Sequence, residues 1–208
     1  MHNRLQQDLL KWDRTVATHP EDAKIYVQRG MARFKLAMIP ESIQDFDRSE
    51  QLDANITPYL WQRGLSYYYA NRFEEGANQF EIDLTVNARD VEETVWRYLC
   101  IAQLAGASTA RQSLLEVNND SRHFMQQIYG LFAGHITPEQ MLRTLPQESN
   151  PGKFYSRLYV GLYYEAAGNI DQAKTYIDQA VQTFGTEYRA DDYMGYVAIV
   201  HRQVRQWI

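Results

Sequence analysis

The side chains best equipped for chemistry in this sequence are one thiol, a few imidazoles and arginines that return at a fixed interval. Cys100 stands between Leu99 and Ile101. Apolar flanks keep a thiol protonated and slow, so it reads as a small hydrophobe and not as a nucleophile. The histidines are His2, His19, His123, His135 and His201. No two are four residues apart, the spacing that sets two imidazoles on one helix face for a metal. Gly64-Leu65-Ser66 begins like a nucleophile elbow but lacks the second glycine. No glycine-rich phosphate loop occurs. Glu92-Glu93 and Asp191-Asp192 read as solvated or helix-capping charges. The expectation is no catalytic residue, no metal and no cofactor, so the chain reads as a non-enzyme. The competing reading is an enzyme or enzyme subunit with a cryptic site in residues 107–150. It would require polar side chains converging on His123 and His135 in a closed pocket.

Arg29 recurs as Arg63 and Arg97, one every 34 residues. A ladder of guanidiniums could bind anions. The favoured reading is an internal brace, Arg29 facing Asp45, because a half-buried guanidinium needs a carboxylate and takes one bidentately.

Bulk properties narrow the partners. The net charge of −5 comes without any lysine- or arginine-rich cluster. Nucleic acid is therefore excluded as a partner, since phosphate binding draws its affinity from clustered cations. A single cysteine excludes an intrachain disulfide. The apolar runs, such as residues 197–200, fall far short of the ~20 residues that span a bilayer, so no transmembrane segment is expected. Residues 1–8 show neither an apolar signal segment nor a lipid-accepting cysteine. The compartment stays unknown: cytoplasmic if this is the full product, and periplasmic, outer-membrane-associated or organellar if a targeting segment was removed.

The elements that must position these residues follow from a repeat. Gln28-Arg29-Gly30 returns 34 residues later as Gln62-Arg63-Gly64. In the same register Phe34 aligns with Tyr68, Phe46 with Phe80, Asp53 with Asn87 and Ala54 with Ala88. A further unit runs through Leu158-Tyr159-Val160-Gly161 and Gly168-Asn169-Ile170-Asp171-Gln172-Ala173 to Ile177 and Ala180. These residues resemble the tetratricopeptide-repeat (TPR) family, whose period is the same. The resemblance implies an all-α solenoid of helical hairpins, a right-handed superhelix with capping helices at both ends. Gly30, Gly64 and Gly161 would take the small position of the first helix in each hairpin, and Ser42, Gly76 and Ala173 that of the second.

On this reading residues 1–208 form a single solenoid domain. Residues 1–20 are an N-terminal capping helix carrying Leu5, Leu9, Trp12 and Val16 on one face. Residues 21–56 and 57–90 are repeats, 91–150 are degenerate helical repeats, 151–185 are a repeat and 186–208 are a C-terminal cap. The periodicity predicts helices at 22–37, 40–53, 57–70, 73–86, 91–105, 108–117, 121–133, 153–167, 170–183 and 186–206. A short helix opened by Thr137-Pro138-Glu139-Gln140 is predicted to end near Leu145. Asn118-Asn119-Asp120 reads as a turn, residues 146–152 as a linker, and Gly185 as a helix C-cap.

Beyond residue 90 the order of pieces is more particular. Trp96-Arg97-Tyr98-Leu99 is followed by Phe132-Ala133-Gly134-His135-Ile136 leading into residues 137–142, then by the unit opening at Phe154-Tyr155. This order resembles the bacterial NlpI family of outer-membrane TPR lipoproteins. The resemblance implies an adaptor or scaffold that docks cell-envelope hydrolases and a protease, and that dimerises through N-terminal helices. The chain departs from that family in having no lipid-attachment cysteine near Met1. Projecting the TPR pattern makes Phe34, Trp61, Tyr68, Tyr69 and Trp96 a concave, aromatic protein-binding groove for other proteins or peptides. A TPR subclass clamps acidic chaperone tails with lysine and asparagine at positions held here by Val27 and Met31, so tail capture there is not expected.

Overall fold

The computed structural model describes residues 2–117, 120–188 and 191–207, with residues 146–148 described in their backbone only. Among the described residues the chain is helical without a strand. None of these helices is long and apolar enough to cross a membrane. The chain divides into two compact units, one up to Ala88 and one from Arg89 onward.

The first unit holds α1 (His2–Thr18), α2 (Ala23–Lys35), α3 (Ile39–Leu52), a 3-10 turn (Ala54–Tyr59), α4 (Trp61–Tyr69) and α5 (Phe73–Asp83). Each helix packs on the next. The side chain of Asp22 caps α2 by accepting from the Lys24 amide at 2.9 Å. Pro40 sits in the first turn of α3, where its missing donor costs nothing. The predicted helix from 57 begins only at Trp61, because Pro58 holds the preceding residues in the tighter 3-10 turn.

The second unit holds α6 (Val91–Ala105), α7 (Ala107–Gln112), α8 (His123–Ala133), α9 (Pro138–Glu148), α10 (Asn150–Ala166), α11 (Ile170–Thr183), a π-helical turn (Phe184–Tyr188) and α12 (Tyr193–Val204). Gly106 and Gly134 end α6 and α8 with φ of 85° and 81°, a region open to glycine at little cost. Thr137 and Gln140 form a full capping box at the start of α9.

The hairpins close on one motif. A Cβ built on Gly30 would lie 3.0 Å from the Phe46 ring, on Gly64 2.6 Å from Phe80, and on Gly161 2.8 Å from Ile177. In each hairpin the residue that fills the space sits sixteen positions after the glycine. Ser42, at the small position of α3, donates its hydroxyl to the Gly30 carbonyl at 2.9 Å. Glycine lets the two helices approach until a large apolar side chain covers bare backbone.

Three local expectations need correction. The helix predicted over 108–117 stops at Gln112, where the Arg97 guanidinium binds the Ser113 carbonyl at 2.8 Å. Asn118 and Asn119 of the expected turn lie outside the described residues. Residues 146–152 form no linker: α9 runs to Glu148 and α10 begins at Asn150. Ser149 caps α10 through the Gly152 amide, and a Cβ on Gly152 would fall 2.6 Å from the Leu145 carbonyl oxygen. Turn-forming residues here make a tight helix–helix joint. Finally, Gly185 lies inside the π-helical turn and caps nothing, so the last helix starts at Tyr193. Phe184 of that turn packs onto Gly195, where a Cβ would sit 2.1 Å from its ring.

Candidate functional site

The recurring arginines sit between successive helices of the hairpins. Arg29 on α2 donates from Nη2 to Asp45 Oδ1 at 2.7 Å and from Nε to Asp45 Oδ2 at 3.0 Å. It also reaches back to Asp13 on α1 at 3.3 Å. Arg33 adds a second guanidinium 2.8 Å from Asp45. Burial pushes the Asp45 carboxyl up, against the pull of Arg29 and Arg33. Arg63 on α4 repeats the geometry. Its Nε donates forward to Gln79 at 2.8 Å, and its Nη1 reaches back to Asp47 at 3.2 Å. Glu50 accepts two further bonds from it at 2.7 and 3.0 Å. The Arg63 guanidinium holds Glu50 below the usual carboxylate range. Arg97 also reaches sixteen residues forward, to the Ser113 carbonyl. The acceptor changes from carboxylate to side-chain amide to backbone, while the offset stays the same.

The aromatic residues of the expected groove lie elsewhere. Phe34 and Tyr68 are 0% exposed, Trp96 2% and Tyr69 4%; Trp61 is half-buried. Helix α4 is buried from Gln62 through Tyr69. The rings of Phe34 and Tyr69 stand 5.7 Å apart, and Tyr68 meets Tyr69 and Phe73 edge-on at 5.3 and 5.5 Å. Four of the five side chains are thus interior packing rather than an open wall. A groove and a core use the same ring types at the same helical spacing, which is why the pattern alone misassigned them.

The imidazoles are dispersed. His123 opens α8 and His135 lies just beyond its end, both exposed. An eleven-residue helix separates them by roughly 16 Å. His201 is 0% exposed, with Nε2 3.6 Å from Glu165. Burial lowers its pKa to about 4, so the ring is neutral at pH 7. Among the described residues no group of three or more histidine, cysteine or acidic side chains is arranged to hold a metal. Cys100 is fully buried, and burial pushes its thiol well above the ordinary value.

A polar cluster in the second unit has no counterpart in the sequence pattern. Glu92, read as a solvated or capping charge, accepts from the Tyr159 hydroxyl at 2.7 Å and pairs with Arg122. Arg122 also binds Asp90 at 3.0 Å and Asp120 at 2.8 Å. Asp90 is the residue that caps α6, accepting from the Glu93 amide at 3.1 Å. Asp192 caps α12 and also accepts from Tyr155 and Tyr188 at 3.0 and 2.6 Å. Partners this far apart in sequence leave no periodic trace.

Asp83 carries a testable charge effect. It is 1% exposed and accepts from Gln79 Nε2 at 2.7 Å. Burial raises its carboxyl to about 7. The folded value lies above the unfolded one, so this group's stabilisation is complete below about pH 4 and is lost as pH rises through about 7. Asp83→Asn removes that loss. The variant's stability advantage should grow between pH 5 and pH 8, reaching on the order of 2 kcal/mol. Urea unfolding of both proteins at pH 5, 6.5 and 8 measures it, and a pH-independent difference contradicts the assignment.

No family model matches the chain. It is similar to the Hsp70-Hsp90 organizing protein of Triticum aestivum, 20% identical over 115 residues. The matched stretch covers 55% of this chain and 20% of that relative, so the chain spans a small part of the relative's length. The all-helical hairpins and this similarity together fit a TPR protein.

Proposed function

We propose that this chain is a protein–protein interaction adaptor and not an enzyme. The observation that supports it most directly is α1. This helix carries Leu5, Leu9, Trp12 and Val16 along one face and packs on α2, yet none of its residues is buried, and Leu10 is 55% exposed. An apolar stripe left half-covered there favours a protein partner. We assign α1 to self-association, the arrangement implied by the NlpI resemblance, and the rest of the chain to docking a cell-envelope hydrolase or protease. The half-buried apolar Val27 and Met31 favour a partner class other than acidic chaperone tails at α2.

Sedimentation equilibrium tests the α1 assignment. The wild-type chain should be a dimer at micromolar concentration and Leu9→Asp a monomer, with the same helix content by circular dichroism. A wild-type monomer removes the assignment. Titration of a purified peptidoglycan endopeptidase into the chain tests the docking role, and silence at tens of micromolar counts against it.

A further inference from the structure

A single guanidinium in the second unit gathers three carboxylates. Arg122, next to the first residue of α8, binds Asp90 at 3.0 Å, Asp120 at 2.8 Å and also Glu92. Asp90 and Glu92 come from the start of α6, and Asp120 from the segment before α8. With all of these ionised, three negative charges would face one positive charge. Asp192 lies on the far side of the same network. It accepts from Tyr155 at 3.0 Å, whose ring stacks on that of Tyr159 at 6.2 Å. Tyr188 donates to it as well. Carboxylates crowded round one cation do not all ionise easily, so one of them keeps its proton to higher pH than the rest.

The hydrogen bonds select which one. Asp120 accepts from two backbone amides, Val91 at 3.1 Å and Arg122 at 2.9 Å. Burial pushes its carboxyl up, but the bonds to Arg122 and to these amides outweigh it and hold Asp120 below the usual range. Asp90 accepts from the Glu93 amide as the cap of α6. Glu92 leans instead on the fully buried Tyr159, whose hydroxyl donates to it at 2.7 Å. Burial raises the Glu92 carboxyl to about 7, against the pull of Arg122 and Tyr159, and the Asp90 charge pushes the same way as burial.

We propose that Glu92 is a proton switch that sets how firmly the start of α8 is clasped to the start of α6. With its proton, Glu92 is neutral, and Arg122 serves Asp90 and Asp120. Without it, a third charge competes for the same guanidinium and repels the other two, so the clasp loosens. The folded carboxyl titrates above the unfolded one, so the stability that Glu92 contributes is complete below about pH 4 and is lost as pH rises through about 7. The switch uses no residue of α1, so either assignment can fail while the other stands.

A carboxyl-carbon NMR titration follows Glu92 directly, with Glu92→Gln identifying its resonance. The midpoint should lie near 7. Asp90→Asn keeps a capping side chain but removes a charge, and should lower the midpoint by roughly half a pH unit or more. Tyr159→Phe withdraws a donor from the anion and should raise it. The clasp itself is read from hydrogen exchange of the Val91 and Arg122 amides, both bound to Asp120. Corrected for the intrinsic rate, their protection in the wild type should fall severalfold between pH 6 and pH 8.5. In Glu92→Gln it should stay level; the Asp83 titration is common to both proteins. Circular dichroism verifies that each variant folds. A Glu92 midpoint in the range of exposed glutamates, a midpoint that neither substitution moves, or the same pH dependence of protection in both proteins overturns the proposal.

Discussion

Gly64→Ala is expected to destabilise the chain by about 2 kcal/mol, although alanine is the better helix former by about 1 kcal/mol. The sign is set by space. The new methyl would arrive 2.6 Å from Cζ of Phe80 and 2.9 Å from two further ring carbons. Phe80 is 1% exposed, so its ring has nowhere to retreat without displacing α5 from α4. The double variant Gly64→Ala with Phe80→Leu supplies room. It should recover part of the loss, giving a favourable coupling of about 1–2 kcal/mol in a double-mutant cycle. Gly130→Ala serves as control, since its methyl meets nothing closer than 3.7 Å. Urea unfolding decides the matter: a Gly64→Ala variant as stable as the parent would mean that the hairpin does not close on this glycine.

Tyr68→Ala should cost more, about 3–5 kcal/mol, the range for deleting a fully buried ring. The ring is enclosed by Tyr69 and Phe73, and its neighbours can collapse only partly into the space. Trp61→Ala, at a half-buried position, should cost distinctly less. The pair therefore separates packing from recognition. Partner binding lost in Tyr68→Ala but restored by cooling or by osmolyte reports stability. Loss in Trp61→Ala at an unchanged urea midpoint reports a contact. Equal urea midpoints for wild type and Tyr68→Ala would show that the ring is not core.

What could be read from the sequence depended on the range of the interaction. The hairpin contacts Gly30–Phe46, Gly64–Phe80 and Gly161–Ile177 each span sixteen residues within one repeat, so duplication printed them as visible periodicity. The caps at Gly106, Gly134 and Thr137 were legible because they depend on a few adjacent backbone angles and hydrogen bonds. The groove was not, because helical spacing identifies which residues share a face but leaves open whether another helix covers it. Nor was the Glu92–Arg122–Tyr159 cluster, whose partners come from distant elements. Residues 146–152 misled for a different reason. Proline and serine are as much at home at a helix start as in a loop, and only the approach of Gly152 to the Leu145 carbonyl distinguishes the two.

The arginine geometry also limits how such a chain can change length. Arg29 holds Asp13 behind it and Asp45 ahead, and Arg63 holds Asp47 behind and Gln79 ahead, each at the same separation of sixteen residues. A whole 34-residue module gained or lost in register would carry its latch with it and join neighbours already shaped to receive it. Removing a single helical residue between an arginine and one of its partners would swing that guanidinium about 100° round its helix relative to the partner and unfasten that latch. Growth in this first unit is therefore quantised, with the repeat length itself as the smallest viable step.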